Sequence, residues 1–218
     1  MALCYSVGEY PCPVRRSSTH AKQVDIVLNT TCRLITGCLR NTPMDKVYLL
    51  AGIPPPPVRR LISSKIERGQ QKRDTRHPMY GQNDPTSRLK SRKSFLKVTE
   101  ELTETPLLSR LDEWKKLITD TNGKRWMEPS EGLPRSNYLD WPVWKTLNRL
   151  RVGVGRTKEN MRKWGYGGRD ITRICGQEQT TSHLLVCPRG PSPCTQEDLM
   201  ISNKKAVTTA IYWTKEKI

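Results

Sequence analysis

Three candidate metal ligands lie close together in the later part of the chain, at Cys175, His183 and Cys187. His183 and Cys187 are four residues apart, which places an imidazole and a thiol on one face of a helix. Gly176 directly follows the first cysteine and can adopt the positive φ of a tight turn around a bound ion. This spacing predicts a half-knuckle with a helix attached, and it constrains the local fold more than any other stretch of the sequence.

A closed structural zinc site has four ligands, and the place to look for the fourth is just before Cys175. Thr172, Arg173 and Ile174 stand there, and none of the three binds zinc. A zinc ion would then be held by the three ligands above, with Cys194 or water as the fourth. The alternative is a buried pair of cysteines beside a hydrogen-bonded histidine.

The chain is strongly basic, with 38 Lys and Arg against 21 Asp and Glu, a net charge of +17 and a pI near 9.8. Such a charge predicts a polyanionic partner, by default RNA or DNA. The alternative is that the basic residues form a solvated surface without such a partner. Hydrophobic residues make up 35% and the mean hydropathy is -0.68, which indicates a thin core.

Basic residues are concentrated in residues 58–97 and 141–176, and the net acidic residues 98–140 separate the two segments. We interpret the basic segments as surfaces that grip nucleic-acid phosphates by charge, without reading the sequence of bases. The residues predicted to bind are Arg88, Lys90, Arg92 and Lys93 in the first segment, and Lys145, Arg149, Arg151 and Arg156 in the second.

Seven cysteines are an odd number in a chain of this length, which favours free thiols and a metal cluster over disulfides. No run of about eighteen apolar residues occurs, and the first residues lack the pattern of a signal peptide. We therefore expect an intracellular protein, nuclear or cytoplasmic, that does not associate with a membrane.

The spacing of apolar residues predicts a mainly α fold, in which short helices are joined by basic, Pro-containing loops and a small zinc-knuckle-like subdomain follows. Trp141, Trp144 and Trp164 are interpreted as core residues, with base stacking as the alternative. Thr157 and Thr195 are predicted to begin helices. The predicted division is a helical segment at 1–72, an irregular basic and acidic linker with one helix at 73–139, and basic helices with the knuckle at 140–218.

Several separated blocks carry a resemblance to a known family. They include L-N-T-T-C-R-L-I-T-G-C-L-R from Leu28, R-L-K-S-R-K-S-F-L from Arg88, W-K-T-L-N-R-L-R-V-G-V-G-R from Trp144 and C-G-Q-E-Q-T-T-S-H-L-L-V-C-P from Cys175. In order and spacing they resemble the C-terminal region, after the polymerase palm, of reverse transcriptases from jockey-like non-LTR retrotransposons. The resemblance implies thumb-like helices, nucleic-acid-binding segments and a Cys/His knuckle, and as partners RNA, DNA and any upstream polymerase domains.

This chain departs from the family pattern at two positions. Arg173 stands where the family has the first cysteine of C-x-C-G, and Arg15 replaces the aromatic residue of a P-V-W block. A guanidinium is a permanent cation that cannot replace a thiolate. The resemblance therefore implies either a zinc site that lacks one family ligand or a site that has decayed.

The Ala-Asp-Asp box, in which this family places the carboxylates for its catalytic metal ions, does not occur in the sequence. We therefore expect no polymerase activity from this chain alone. The alternatives to a nucleic-acid-binding fragment are a co-opted adapter that binds a protein through the apolar stripe at residues 24–39, and a non-functional relic of such an element.

Overall fold

A computed structural model of the chain describes residues 18–82, 109–118, 126–168 and 170–218. These residues are mainly helical, as predicted, and their one extended pairing is an antiparallel bridge between Thr172 and Glu178. None of the described helices combines the length and apolar character that a membrane span needs. The described α-helices are α1 (Ala21–Thr36), α2 (Met44–Ala51), α3 (Pro56–Arg73), α4 (Arg110–Leu117), α5 (Trp141–Val152), α6 (Lys158–Lys163), α7 (Thr181–Val186), α8 (Gln196–Ile201) and α9 (Lys204–Lys215).

Side chains cap most of the short helices at their first turn. The hydroxyls of Thr157 and Thr195 accept backbone N–H groups of α6 and α8, which confirms both predicted starts, and Asp198 completes a capping box with Thr195. Thr180 and Asn203 cap α7 and α9 in the same way. Because these oxygens satisfy N–H groups that have no partner within the helix, even helices of six residues have defined beginnings.

The chain divides into two compact units. Of the described residues, the first unit contains 18–31, 54–82, 109–118 and 126–129, and the second contains 32–53 and nearly all of 130–218. Each unit thus combines segments that are distant in sequence, whereas the predicted divisions fell at residues 72 and 139.

In the first unit, α3 packs against α4. Trp114 of α4 is buried, and the adjacent Glu113 lies 3.3 Å from the ammonium of Lys65 on α3. Arg60 of α3 forms an ion pair with Asp25 of α1. An apolar anchor and two ion pairs therefore fix the helices of this unit.

In the second unit, α5 and α9 pack side by side and form its centre. Leu147 and Leu150 of α5 meet Ala206, Ala210 and Trp213 of α9, and none of these side chains is more than 1% exposed. The same core includes Leu184, Cys187, Cys194, Leu199 and Ile218. Because α7 and the residue after it contribute to this core, the segment that carries His183 and Cys187 is anchored by packing.

Gly52 is the position in the second unit where a side chain is least tolerated. It ends α2 with φ of 62°, and a Cβ on it would lie 1.8 Å from the carbonyl oxygen of Gly132. Gly153 ends α5 with φ of 73°, but a Cβ there would meet no atom within 4 Å. The two glycines share a backbone conformation and differ in the space around them.

We predict that Gly153→Ala lowers the free energy of unfolding by about 1 kcal/mol, because alanine is strained at positive φ. Gly52→Ala should lower it by about 1–3 kcal/mol more, since the backbone at Gly132 must also move. Urea unfolding followed by tryptophan fluorescence measures both values. Equal losses in the two variants would contradict this packing at Gly52.

Candidate metal centre and adjoining basic surface

The first candidate ligand lies in a tight hairpin-like turn between residues 171 and 179. The N–H of Arg173 donates to the carbonyl of Gln177 at 2.8 Å, and the N–H of Gly176 donates to the carbonyl of Arg173 at 2.8 Å. Gly176 has φ of 79°, which a glycine adopts without strain, so the predicted turn after Cys175 is present.

The other two candidate ligands come from α7 and the residue that follows it. Thr180 caps this helix by accepting the N–H of His183, and Cys187 is the first residue after its last turn. Leu184, between the two ligands, is 1% exposed, and its carbonyl accepts the indole N–H of Trp213 at 3.0 Å. The core therefore fixes the helix from which both ligands extend.

The three ligand atoms converge as the sequence predicted, all lying within 4.8 Å of one another. Cys175 Sγ is 3.2 Å from His183 Nε2 and 3.8 Å from Cys187 Sγ. A tetrahedral zinc with Zn–S bonds of about 2.3 Å holds two sulfurs about 3.8 Å apart, and a sulfur and a nitrogen about 3.5 Å apart. The group can therefore hold a metal ion with little movement.

No fourth His, Cys, Asp or Glu joins this group among the described residues. Cys194, the predicted alternative ligand, is instead packed in the core of the second unit, where it is 2% exposed. Its Sγ lies 3.6 Å from the carbonyl oxygen of Thr195, and its N–H donates to the carbonyl of Leu185. The structure thus assembles three protein ligands and leaves Cys194 outside the group.

Arg173, where the resemblance predicts a cysteine, packs against α9. Its guanidinium carbon is 4.5 Å from the centre of the Trp213 ring, and its Nη2 is 3.9 Å from Glu216 Oε2. The side chain is only 10% exposed, and Nη1 is buried without a hydrogen-bond acceptor. A cation–π contact therefore holds this arginine beside the turn that carries Cys175.

The pKa of the Cys175 thiol is shifted in the opposite direction from those of Cys38 and Cys194. A hydrogen bond from the backbone of Gln177 lowers the pKa of Cys175, and Cys187 and the charge of Arg173 act in the same direction. Burial raises the pKa of Cys38 and of Cys194. Thiolate character is therefore greatest at a candidate metal ligand.

The predicted phosphate-binding residues differ in exposure, and some lie outside the described part of the chain. Arg88, Lys90, Arg92 and Lys93 lie outside the described residues. Lys145 and Arg149 are partly buried, and Arg149 donates to the carbonyls of Gly37 and Ile218 at 3.0 and 3.1 Å. Arg156 is exposed.

Arg151 does not fit the prediction that it contacts phosphates, because it is 1% exposed. Burial lowers its pKa to about 10, so it remains charged at neutral pH. Its donors hold α5 to the Leu199 carbonyl of α8, to Ser202 Oγ just after α8, and to Ser136 Oγ in the 3-10 turn Arg135–Tyr138. A further donor meets Asn148 Oδ1 within α5. Charge counting along the sequence could not separate this buried arginine from an exposed one.

The sequence predicted the start of helix α6 at Thr157, but its basic residues were not among the predicted phosphate-binding residues. Lys158, Arg162 and Lys163 are exposed on it. The N–H of Lys158 donates to the side-chain oxygen of Gln179 at 2.8 Å, and its ammonium donates to the carbonyl of Thr172 at 2.6 Å. These bonds fasten α6 to the turn that carries Cys175, so exposed charge and candidate ligands belong to one local structure.

The three predicted core tryptophans differ in burial. Trp144 is 4% exposed, and its indole N–H donates to the carbonyl of Ile35 at 3.0 Å, as core packing requires. Trp141 is 49% exposed, and Trp164 is partly buried at the end of α6. The core interpretation is therefore confirmed for Trp144 alone.

Comparison with protein-family models, with curated proteins and with solved structures found no match to this chain.

We predict that iodoacetamide modifies Cys175 faster than Cys38 or Cys194 in metal-free, folded protein. Cys175 is partly exposed and its lowered pKa gives it a larger thiolate fraction at neutral pH, where the two buried thiols stay protonated. The advantage should shrink as the pH rises above the ordinary thiol pKa of about 8.5. Mass spectrometry of the labelled peptides gives the rates, and denatured protein is the control. Modification of Cys38 or Cys194 as fast as Cys175 would contradict this assignment.

Proposed function

We propose that this chain is a zinc-stabilised nucleic-acid-binding module, related to the C-terminal region of jockey-like non-LTR reverse transcriptases. It grips RNA or DNA phosphates by charge and performs no polymerase chemistry of its own. The observation that carries the proposal is the convergence of Cys175, His183 and Cys187 beside a basic helix.

The donor set supports zinc over harder cations. Two thiols and an imidazole suit zinc, whereas calcium and magnesium prefer oxygen ligands. A bound ion would join the turn at residues 171–179 to α7, which are otherwise linked through hydrogen bonds and the core. Its role would be structural, because it fixes the position of α6 through the same turn.

The charge distribution supports a polyanionic partner. A net charge of +17 disfavours close approach of most basic surfaces and attracts phosphates. Arg156 and Arg162 are exposed beside the candidate metal centre, and no ion pair involves either of them in the described part of the chain. Each phosphate that such a residue neutralises releases counterions, which supplies affinity without base recognition.

A protein-binding adapter is the second candidate, and exposed apolar residues favour it. Of the predicted stripe on α1, Leu28 and Cys32 are buried, whereas Val27 is 62% exposed. Ile26 and Leu34 on the same helix are also more than 60% exposed. Binding of nucleic acid that is unchanged by Val27→Asp and Leu34→Asp would separate the two functions.

We predict one zinc per chain in protein purified without chelator, measured by elemental analysis. Cys187→Ser should lose most of the metal because two protein ligands remain, whereas Cys194→Ala should retain it. Arg173→Cys should bind zinc more tightly, since it restores a thiolate at the family position. Absence of zinc from every variant would refute the metal centre. Loss of zinc in Cys194→Ala would instead make Cys194 a ligand.

We predict that affinity for single-stranded RNA and for duplex DNA falls steeply between low and physiological salt. On duplex DNA the log–log slope should be about -0.9 for each phosphate contact. Arg156→Gln with Arg162→Gln should make this slope shallower by about two units. The matched control, Lys204→Gln with Lys205→Gln on α9, removes the same charge elsewhere in the second unit. A flat salt response would refute nucleic-acid binding by charge. Equal effects of the two double variants would refute the role of the basic surface that Arg156 forms with α6.

A further inference from the structure

The candidate metal centre has three protein ligands and an excess of positive charge. Two thiolates neutralise the charge of one Zn²⁺, and His183 is neutral when it binds a metal. A fourth cysteine would have made the centre negative, but the chain has Arg173 at that position. Arg173 lies two residues before Cys175 in the same turn, in which the N–H of Gly176 donates to the carbonyl of Arg173 at 2.8 Å. A fourth ligand that enters this centre is therefore favoured if it is an anion.

Arg173 also has a hydrogen-bond donor that the protein leaves unused. Its Nη1 is buried and has no acceptor, although the whole side chain is only 10% exposed. The Trp213 ring fixes the guanidinium without accepting this N–H in the plane of the group. Glu216, the nearest carboxylate, is 3.9 Å from the other terminal nitrogen and about half exposed. A buried donor without an acceptor is costly, so an external acceptor would be stabilising there.

Two of the three candidate ligands are partly accessible. Cys175 and His183 are partly exposed, whereas Cys187 is buried in the core. Lys158 of α6 contacts the turn at Thr172, and Arg162 on the same helix is exposed. Positive charge near the turn that carries Cys175 favours an anion over a cation as an incoming ligand.

We propose that a metal ion held by Cys175, His183 and Cys187 takes a phosphate oxygen as its fourth ligand, and that Arg173 Nη1 donates to the same phosphate. This inference rests on the metal centre of the proposed function and assigns it a ligand. The phosphate oxygen replaces a water on the metal, with no change in oxidation state. Inorganic phosphate and the terminal phosphate of a nucleic acid share this chemistry. With Arg173 in place of a fourth cysteine, the metal centre has an open coordination position that a phosphate can occupy.

Protein loaded with one equivalent of Co²⁺ reports on the fourth ligand, because the visible absorption of this ion depends on its ligand set. Inorganic phosphate is titrated in one arm. An oligonucleotide with a 5′-phosphate and its twin with a 5′-hydroxyl are compared in the second. We expect the spectrum to change with inorganic phosphate and with the 5′-phosphate oligonucleotide, and not to change with the 5′-hydroxyl oligonucleotide. Change with inorganic phosphate alone would assign the site to the free anion.

Four variants test the role of Arg173. Arg173→Cys should add a thiolate and abolish the response to phosphate, while Arg173→Met should respond with an affinity at least about tenfold lower. Arg173→Lys keeps the charge and should fall between Arg173→Met and the natural chain. Lys215→Met, which removes a charge from α9, is the control and should behave like the natural chain. Circular dichroism checks that each variant is folded, and Arg173→Lys carries the test if Arg173→Met is not.

The outcomes distinguish this inference from the proposed function. Failure of the natural chain to bind Co²⁺ would overturn both. Binding of Co²⁺ with a spectrum that phosphate does not change would overturn only the phosphate ligand and leave the metal centre intact. An equal phosphate affinity in Arg173→Met and the natural chain would overturn the role of the arginine.

Discussion

The second unit depends on the burial of one side chain, Trp213. This residue of α9 is 0% exposed in the core that α5, α7, α8 and α9 share, and its indole N–H donates to the carbonyl of Leu184 in α7. The same ring supports the guanidinium of Arg173, two residues before Cys175. Both segments that carry candidate ligands therefore meet on one tryptophan. Burial of a side chain of this size typically contributes about 3–5 kcal/mol, which exceeds the contribution of any single hydrogen bond at the site.

This arrangement explains how the chain can have an arginine where the family that its sequence resembles has a cysteine. In a small zinc finger the metal contributes roughly 10–16 kcal/mol of apparent binding energy, so a lost ligand threatens the fold. Here the helix α7 is fixed by Leu184 in the core and by a threonine cap, and Cys187 is itself a core residue. By analogy with such a finger, the knuckle would depend on its ligands for folding. The packing indicates that the ligands are largely positioned before any ion binds.

Local patterns predicted much of this structure, and long-range packing supplied the rest. The helices, the caps at Thr157 and Thr195, the turn at Gly176 and the convergence of Cys175, His183 and Cys187 all follow from spacing over a few residues. The burial of Cys194 and Arg151 and the position of Arg173 do not follow from local spacing, because each depends on a partner that is distant along the chain. Cys194 and Arg151 are buried by core contacts, and Arg173 is held by an aromatic ring forty residues away. A charge or a thiol in a sequence pattern carries no information about such burial.

We infer that packing, rather than a metal, positions the ligands of this centre. Hydrogen exchange of the α7 amides in protein freed of metal by a chelator tests this inference. We expect the Leu184 amide, which donates to the carbonyl of Thr180, to be protected in metal-free protein nearly as well as the amides of α9. Exchange at the rate of an unfolded peptide until zinc is added would contradict it, and the metal would then be what folds this segment.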